Sequence, residues 1–338
     1  MEDTAAPSSA MPDARLAMVK DFTIGRGRRD RNTAIAPSIL FELCMETRLA
    51  GNREAIHELL GGRYVIKAQS LRFHHRLRHL FEPLEVRVSQ SIGNLGNSSF
   101  EYLYSIYCEQ PGKRVLLATA VVVCVAVRAP GEKLPLPPNF RRIASAAQEA
   151  RMLEDSRRRR DSDYASSLLS IEMDSVPTSE GAINPRASAV PVTQLSLVTS
   201  DGVDYFAMPV LLRPSDEDWN HHVNNVSYVR FFEDALEIVR ELAHVPFGAR
   251  DVDAMAIDYL RECSIRVSNC RVLVRLQPPP PENALEDGSQ ATTTSLPSLA
   301  FLFQGREADG KTYIYARGRV VAATLAGVQE DDLVTNDD

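Results

Sequence analysis

The feature that most constrains the fold of this chain is an order of elements that occurs twice. The segments 18–143 and 198–326 each begin with a short strand, continue with a long amphipathic helix and end with four extended segments. One helix beside a run of antiparallel strands predicts a sheet wrapped around a central helix. A second copy buries the strand edges and helix faces that one copy leaves exposed. We therefore expect an α+β fold built from two tandem repeats.

Both predicted helices have an apolar stripe at helical spacing. In the first helix, Pro37 stands at the first-turn position that proline favours. The stripe of this helix consists of Ile39, Leu40, Leu43, Cys44 and Ala50. The stripe of the second helix consists of Tyr228, Phe231, Phe232, Ala235, Leu236, Val239 and Leu242. Each helix is therefore expected to bury one face against its sheet.

The predicted strands are runs of apolar and β-branched residues bounded by turn formers. In the first segment they are residues 22–25, 64–77, 84–92, 99–109 and 114–127. In the second segment they are residues 205–212, 254–266, 271–277, 299–305 and 312–323. The most apolar run, residues 115–127, is shorter than the roughly 20 residues that a membrane helix needs. It therefore predicts a buried strand.

The remaining stretches are polar and lack apolar periodicity. We expect a disordered N-terminus over residues 1–17, a disordered linker over 144–197 and an acidic tail over 327–338. Within the linker, residues 148–159 have the composition of a short charged helix. Residues 278–297 begin with four prolines, which predicts a long exposed loop between two strands.

Composition narrows the class of protein. The 338 residues have a net charge of −7, so nothing in the overall charge favours a nucleic-acid partner. The five cysteines form no Cys-x-x-Cys pair, which argues against a disulfide framework or a zinc site. The first residues have neither an apolar core nor an arginine-rich leader, so a cytoplasmic location is the default expectation. No integral membrane segment is predicted.

The residues with the clearest chemical potential precede the second helix. Asp218, Asn220 and His222 alternate, and in an extended or irregular backbone such residues can point the same way. They also lie beside a predicted helix N-terminus, which favours a developing negative charge. The alternative interpretation is a helix N-cap, a position that Asn224 or Asn225 could also occupy. From these residues alone, a catalytic site and a helix cap are equally supported.

A second acid lies in the predicted strand 254–266. Met255, Ile257 and Tyr259 share one face of this strand, whereas Glu262 falls on the other. An ordinary exposed position, or a salt bridge with Arg261 or Arg266, explains Glu262 equally well.

Three motifs give the chain a resemblance to the acyl-ACP thioesterases of the FatA and FatB type. The string Asp218-x-Asn220-x-His222-Val-Asn-Asn-x-x-Tyr228 resembles that family's signature, and Tyr259-Leu-Arg-Glu262-Cys263 resembles its Tyr-x-Arg-Glu-Cys strand. The stretch Asp30-Arg-Asn-Thr-Ala-Ile resembles an N-terminal motif of the same family. The resemblance implies a tandem, or double, hot-dog fold.

The resemblance also implies hydrolysis of fatty acyl thioesters without a metal or an organic cofactor. Its catalytic residues would be Asp218, Asn220, His222 and Glu262, with Asp218 or Glu262 as base or nucleophile. The residues that it assigns to substrate binding are Asn224, Asn225 and Tyr228. In the first repeat, Ala34 replaces the histidine and Arg76 falls near the position of Glu262. That repeat is therefore expected to form the acyl-chain pocket without a catalytic role.

Several alternatives stay open at the level of sequence. Cys263 is a rival nucleophile, but adjacent residues of a strand face opposite sides, which favours Glu262. The substrate is an acyl thioester of acyl carrier protein or of CoA, and a basic patch formed by Arg26, Arg28, Arg29 and Arg31 could dock either carrier. A non-catalytic acyl-binding or scaffold protein is the alternative from another class. The sequence leaves a monomer and a homodimer equally open.

Overall fold

The computed structural model describes two compact units of the chain. The described residues are 16–24, 35–50, 53–74, 83–110, 113–128, 132–159, 195–200, 203–218, 220–243, 248, 251–277 and 298–322. One unit comprises residues 1–171 with 257–259, and the other comprises residues 172–256 with 260–338. The bounds that the sequence predicts for the two repeats stay predictions.

The described residues of the first unit form five antiparallel strands and three helices. In chain order the elements are β1 (Met18–Ile24), α1 (Pro37–Ala50), α2 (Arg53–Leu60), β2 (Arg63–Phe73), β3 (Leu84–Leu95), β4 (Ser99–Gln110), β5 (Lys113–Val127) and α3 (Pro138–Arg159). The strands lie in the order β1-β3-β4-β5-β2. Strand β2 ends at Phe73, four residues before the predicted end at Leu77, and the sequence reasoning did not predict α2.

Helix α1 buries the stripe that its sequence predicts, with one exception. Leu40, Leu43 and Cys44 are buried, whereas Ala50 is exposed. In its place Arg48, four residues after Cys44, lies on the buried face. The helix therefore directs a charged side chain into an otherwise apolar core.

Helix α3 includes the charged helix predicted over residues 148–159, and it corrects the linker over residues 144–147, which are helical as well. Its first half packs on the sheet of the first unit, where the ring of Phe140 lies 5.1 Å from that of Phe100. The side-chain amide of Gln148 donates a hydrogen bond to the carbonyl of Gly93. Ala144 and Ala147, three residues apart, are both buried. A few apolar residues at helical spacing are therefore sufficient to pack this helix on the sheet, although its composition is mostly polar.

The second unit also combines a long helix with antiparallel strands. Its elements are β6 (Ser196–Ser200), β7 (Val203–Pro209), α4 (Asn225–Ala243), β8 (Val252–Tyr259, of which residues 257–259 are grouped with the first unit), β9 (Ser268–Gln277), β10 (Ser298–Arg306) and β11 (Thr312–Ala322). The strands lie in the order β8-β11-β10-β9-β7-β6. Strand β6 includes residues 196 and 197, which the sequence assigns to the linker.

Helix α4 packs closely on the strands of its unit. The ring of Phe232 stacks on Phe301 with 5.1 Å between centroids, and Phe231 stacks on Phe303 at 5.4 Å. A Cβ atom at Gly318 would lie 2.6 Å from the Phe232 ring, so only glycine allows this approach. Leu242, predicted to belong to the buried stripe, is exposed near the end of the helix.

The strand predicted over residues 254–266 is shorter than expected. Strand β8 ends at Tyr259, so Glu262 follows the strand instead of lying within it. The backbone N–H groups of Leu260 and Arg261 both donate to the carbonyl of Tyr315, at 2.8 and 3.2 Å. Because two donors share one acceptor, the regular hydrogen bonding between β8 and β11 is interrupted, as it is at a β-bulge. The side chains after Tyr259 therefore no longer alternate between the two faces of the sheet.

Within the described ranges, no helix combines the length and the hydropathy needed to cross a membrane. The same ranges contain no group of three or more His, Cys, Asp or Glu side chains arranged to hold a metal ion. The predicted basic patch of Arg26, Arg28, Arg29 and Arg31 lies outside the described residues, as do Ala34, Arg76, the loop 278–297 and the tail 327–338.

Candidate functional site

The segment before α4 folds into a tight turn. Glu217 and Val223 form an antiparallel bridge, and the backbone N–H of Asp218 donates to the carbonyl of His222 at 2.7 Å. His221, near the tip, has a φ of 64°, a left-handed conformation that is uncommon for residues other than glycine. Asp218 and His222 are therefore brought together by chain reversal, so the backbone here is the irregular one of the two that the alternation allows.

The carboxylate of Asp218 stabilises this turn. Its Oδ1 atom accepts hydrogen bonds from the backbone N–H of Asn220 at 2.8 Å and of His222 at 3.3 Å. Asn220 enters this network through its backbone N–H. Asp218 consequently fixes the backbone from which the His222 side chain extends.

Main-chain hydrogen bonds anchor the turn to the rest of the second unit. The N–H of Val223 donates to the carbonyl of Cys263 at 2.7 Å, and the N–H of Asn224 donates to the carbonyl of Asp216 at 2.7 Å. The Oδ2 atom of Asp216 accepts from the N–H of Arg213 at 2.8 Å. The bond to Cys263 places the turn beside the segment that follows β8.

His222 and Glu262 meet at this junction. The Nε2 atom of His222 lies 3.3 Å from Oε2 of Glu262, and the two side chains are 35% and 50% exposed. A carboxylate and an imidazole at this distance can exchange or share a proton. Their partial exposure leaves the pair accessible to water and to a ligand.

Arg261, one of the two arginines that offered a simpler explanation of Glu262, interacts with other residues. Arg261 pairs with Glu307 at 3.1 Å, and its guanidinium lies 3.9 Å from the ring centroid of Tyr313. The Tyr315 hydroxyl donates to Glu307 at 3.0 Å. Because Arg261 is held on that side, the carboxylate of Glu262 is left to interact with His222.

The residues assigned to substrate binding have different environments. Asn224 is a helix cap, since its Oδ1 accepts from the N–H of Val226 at 3.0 Å, and Asn225 is the first residue of α4. Tyr228 is buried, with its ring 5.2 Å from that of Phe303. Capping and core packing therefore explain Asn224 and Tyr228, and the role of all three in binding stays a prediction.

Cys263 differs sharply from its neighbour Glu262. Its side chain is only 1% exposed. A hydrogen bond with Cys270, together with burial, raises the pKa of the Cys263 thiol above its usual value. A buried thiol that resists ionisation is a poor nucleophile.

We therefore expect Cys263→Ala to keep kcat for acyl thioester hydrolysis within about threefold of wild type, since no reacting thiolate is removed. Steady-state kinetics of the purified variant measure this effect. The matched control is Cys270→Ala, which removes the partner thiol without altering the neighbour of Glu262. A hundredfold loss in Cys263→Ala alone, with the fold intact, would restore the cysteine as a nucleophile.

Asp216 contributes to the structure of this turn, and the sequence did not single it out. It is buried, and its carbonyl accepts both the N–H of Asn224 and the hydroxyl of Ser227, the latter at 3.5 Å. The signal available in the sequence is an aspartate in the short turn Pro214–Asp216, because aspartate side chains often accept hydrogen bonds from nearby backbone N–H groups in turns.

The segment that carries this site matches a known family model. Residues 204–268 match the acyl-ACP thioesterase C-terminal domain, and the match includes Asp218, Asn220, His222 and Glu262. No curated protein matches the sequence at a significant level.

Solved structures similar to this chain include two acyl-ACP thioesterases. The 12:0-ACP thioesterase from Umbellularia californica is 15% identical, with a TM-score of 0.54 over 91% of this chain and 94% of that chain. An acyl-ACP thioesterase from Bacteroides thetaiotaomicron is 12% identical, with a TM-score of 0.51 over 91% of this chain and 98% of that chain. At these identities the likeness shows that the chain has the hot-dog fold of these proteins.

Proposed function

We propose that this chain is a thioesterase that hydrolyses fatty acyl-ACP and releases the free fatty acid. The observation that carries the proposal is the His222–Glu262 pair, at 3.3 Å and within the segment that matches the acyl-ACP thioesterase domain. An imidazole beside a partly exposed carboxylate, next to a helix N-terminus, suits the attack of water on a thioester.

In the proposed reaction, Glu262 accepts a proton from water as the water oxygen attacks the thioester carbonyl carbon. The C–S bond then breaks, the proton passes to the leaving thiolate, and the products are a carboxylic acid and a thiol. His222 orients Glu262 and the attacking water through its Nε2 atom. The N-terminus of α4 supports the negative charge that develops on the carbonyl oxygen.

Asp218 and Asn220 have supporting roles in this proposal. The two backbone N–H groups bound to Asp218 Oδ1 favour a role in holding the catalytic turn. Asn220, at the tip of the turn, would orient the thioester with its side-chain amide. Asn225 begins the helix beside them and is the residue best placed by sequence to contact the substrate.

We further propose that the two units are tandem hot-dog repeats with divided tasks. The second repeat would carry the catalytic residues, and the first would accommodate the acyl chain. The combination of a long helix with antiparallel strands in each unit supports this division. A homodimer of such chains is compatible with the proposal.

Turnover of matched substrates tests the function. We expect the purified chain to release free thiol from an acyl-ACP with a higher kcat/KM than from the acyl-CoA of the same chain length. The opposite preference would support an acyl-CoA thioesterase on the same fold. Absence of turnover on both carriers, by a chain shown to be folded, would support a non-catalytic acyl-binding or scaffold role.

A further inference from the structure

The residue that directly precedes Glu262 carries a positive charge that the proposed mechanism does not use. The Arg261 side chain is 45% exposed and that of Glu262 is 50% exposed, so both have room to change direction. A guanidinium and a carboxylate form strong bidentate pairs where they meet. Such a pair would compete with the 3.3 Å contact between Glu262 and Nε2 of His222. The His222–Glu262 pair therefore requires that Arg261 be held elsewhere.

Two attractions hold the Arg261 guanidinium in the structure. Its Nη2 atom lies 3.1 Å from Oε1 and 3.3 Å from Oε2 of Glu307, so it forms an ion pair with both carboxylate oxygens. Its Cζ atom lies 3.9 Å from the ring centroid of Tyr313, within the range of a cation–π interaction. Glu307 contributes the opposite charge, and without it the guanidinium would lose the ion pair and keep only the attraction of the ring.

The carboxylate of Glu307 is itself held in place. In the turn between β10 and β11, the N–H of Glu307 donates to the carbonyl of Lys311, and its carbonyl accepts from the N–H of Gly310, both at 2.9 Å. The Tyr315 hydroxyl donates to Oε1 of Glu307 at 3.0 Å. Burial, followed by this hydrogen bond, raises the pKa of Tyr315, so the hydroxyl keeps its proton and stays a donor. Glu307 therefore presents its charge to Arg261 from a fixed position.

The other carboxylate of this turn, Asp309, has different partners. Its Oδ1 atom accepts from the N–H of Lys311 and its Oδ2 atom accepts from the hydroxyl of Tyr313, both at 2.9 Å. The hydrogen bond from Lys311, followed by that from Tyr313, lowers the pKa of Asp309, and the charge of Arg261 contributes less. Of the two carboxylates in this turn, Glu307 is therefore the one that pairs with Arg261.

We propose that Glu307 is a positioning residue for Glu262. By holding the neighbouring Arg261, it keeps that guanidinium from replacing His222 as the partner of Glu262. This role rests on the function proposed above, in which Glu262 acts as the base. Glu307 lies outside the residues 204–268 that match the family model, so the match does not account for it. It acts through Arg261 and takes no part in the chemistry itself.

Two charge variants test this role by steady-state kinetics with acyl-ACP. Glu307→Gln keeps the shape of the side chain and an acceptor for the Tyr315 hydroxyl but removes the charge, so kcat should fall about fivefold or more, with KM within about twofold of wild type. Arg261→Gln/Glu307→Gln also removes the competing guanidinium, so kcat should return to within about twofold of wild type. A double variant as impaired as Glu307→Gln would indicate a purely structural role and overturn the proposal, as would full activity of Glu307→Gln.

Asp309→Asn is the matched control, because it removes a negative charge from the same turn without removing the ion pair. Asparagine keeps an oxygen that accepts from the N–H of Lys311, so the turn should keep its shape. We expect kcat of Asp309→Asn to stay within about twofold of wild type. A loss as large as that of Glu307→Gln would make the effect one of overall charge and overturn the assignment to Glu307.

Nuclear magnetic resonance of the arginine side chains separates this role from the proposed function. The guanidinium lies 3.9 Å from the centroid of the Tyr313 ring, so the ring current should displace the side-chain N–H signal of Arg261, which Arg261→Gln identifies by its loss. In Glu307→Gln this displacement should decrease, and an unchanged signal would overturn the proposal. Absence of turnover by wild type, with the displacement decreased in Glu307→Gln, would reject the proposed function and support the control of Arg261 by Glu307.

Discussion

Replacing His222 with alanine is expected to lower kcat for acyl thioester hydrolysis by about 100- to 10,000-fold. The imidazole Nε2 lies 3.3 Å from the Glu262 carboxylate, so its loss leaves the base without the group that orients it. The side chain is partly exposed and its backbone is held by main-chain bonds, so the fold should survive the change. Single-turnover measurements with saturating enzyme isolate this chemical step.

The neighbouring histidine provides the control for this prediction. His221 is 87% exposed and contacts Glu217 on the surface, at 3.2 Å. His221→Asn should retain kcat within about threefold, because asparagine tolerates the left-handed φ of this position. A His222→Ala variant as active as His221→Asn would remove the imidazole from the mechanism.

Two substitutions of Asp218 should differ strongly in their effects. We expect Asp218→Ala to lower kcat by about 100-fold or more, since the N–H groups of Asn220 and His222 lose their common acceptor. Asp218→Asn keeps an oxygen in the same place, so its kcat should fall by no more than about tenfold. Steady-state kinetics, with thermal unfolding of each variant, measure both effects.

Glu262→Gln is the variant to compare with Asp218→Asn, because it tests the proposed role of Glu262 as the base. It preserves shape but removes the proposed base, so kcat should fall by about 100-fold or more. If Asp218→Asn were as inactive as Glu262→Gln, the Asp218 carboxylate would itself take part in the chemistry. If Glu262→Gln kept full activity, the assignment of Glu262 as base would be wrong.

The elements with strong periodicity could be predicted from the sequence. Helix α4 and the strands β4, β5, β9 and β10 lie within a few residues of the predicted bounds, because their apolar patterns match the buried faces. Residues 148–159 of helix α3 were predicted as a short charged helix, whereas residues 138–147 were not assigned to a helix, since few apolar residues mark the part that docks on the sheet. Propensity and composition report local preference, whereas docking depends on residues distant in the chain.

The site residues were likewise predicted from local motifs, whereas the geometry of the site depends on contacts between distant segments. Asp218, His222 and Glu262 were recognised from motifs, and the structure brings His222 and Glu262 together. The turn that closes on Asp218 could not be predicted, because it depends on the left-handed backbone of His221. The end of β8 before Glu262 was also missed, since the paired donors on the Tyr315 carbonyl come from a distant strand.

The apolar spacing of α1 did not predict that the charged residue Arg48 is buried in the core of the first unit. The stripe of α1 was predicted to run through Cys44 to Ala50, but the buried positions that follow Cys44 are the polar Thr47 and the charged Arg48. Glutamine and tyrosine on alternating strands are ordinary in sequence. That Gln90 lies directly opposite Tyr104 becomes visible only when the register of β3 and β4 is known.

The hydrogen bond from Val223 to the carbonyl of Cys263 has a consequence for refolding. It joins two segments separated by all of α4 and β8, and the segment after β8 is itself held by the carbonyl of Tyr315 on β11. Local elements such as α4 form early, whereas contacts between distant segments form late. Catalysis during refolding should therefore recover with the slowest phase of the second unit, after helical circular dichroism has returned.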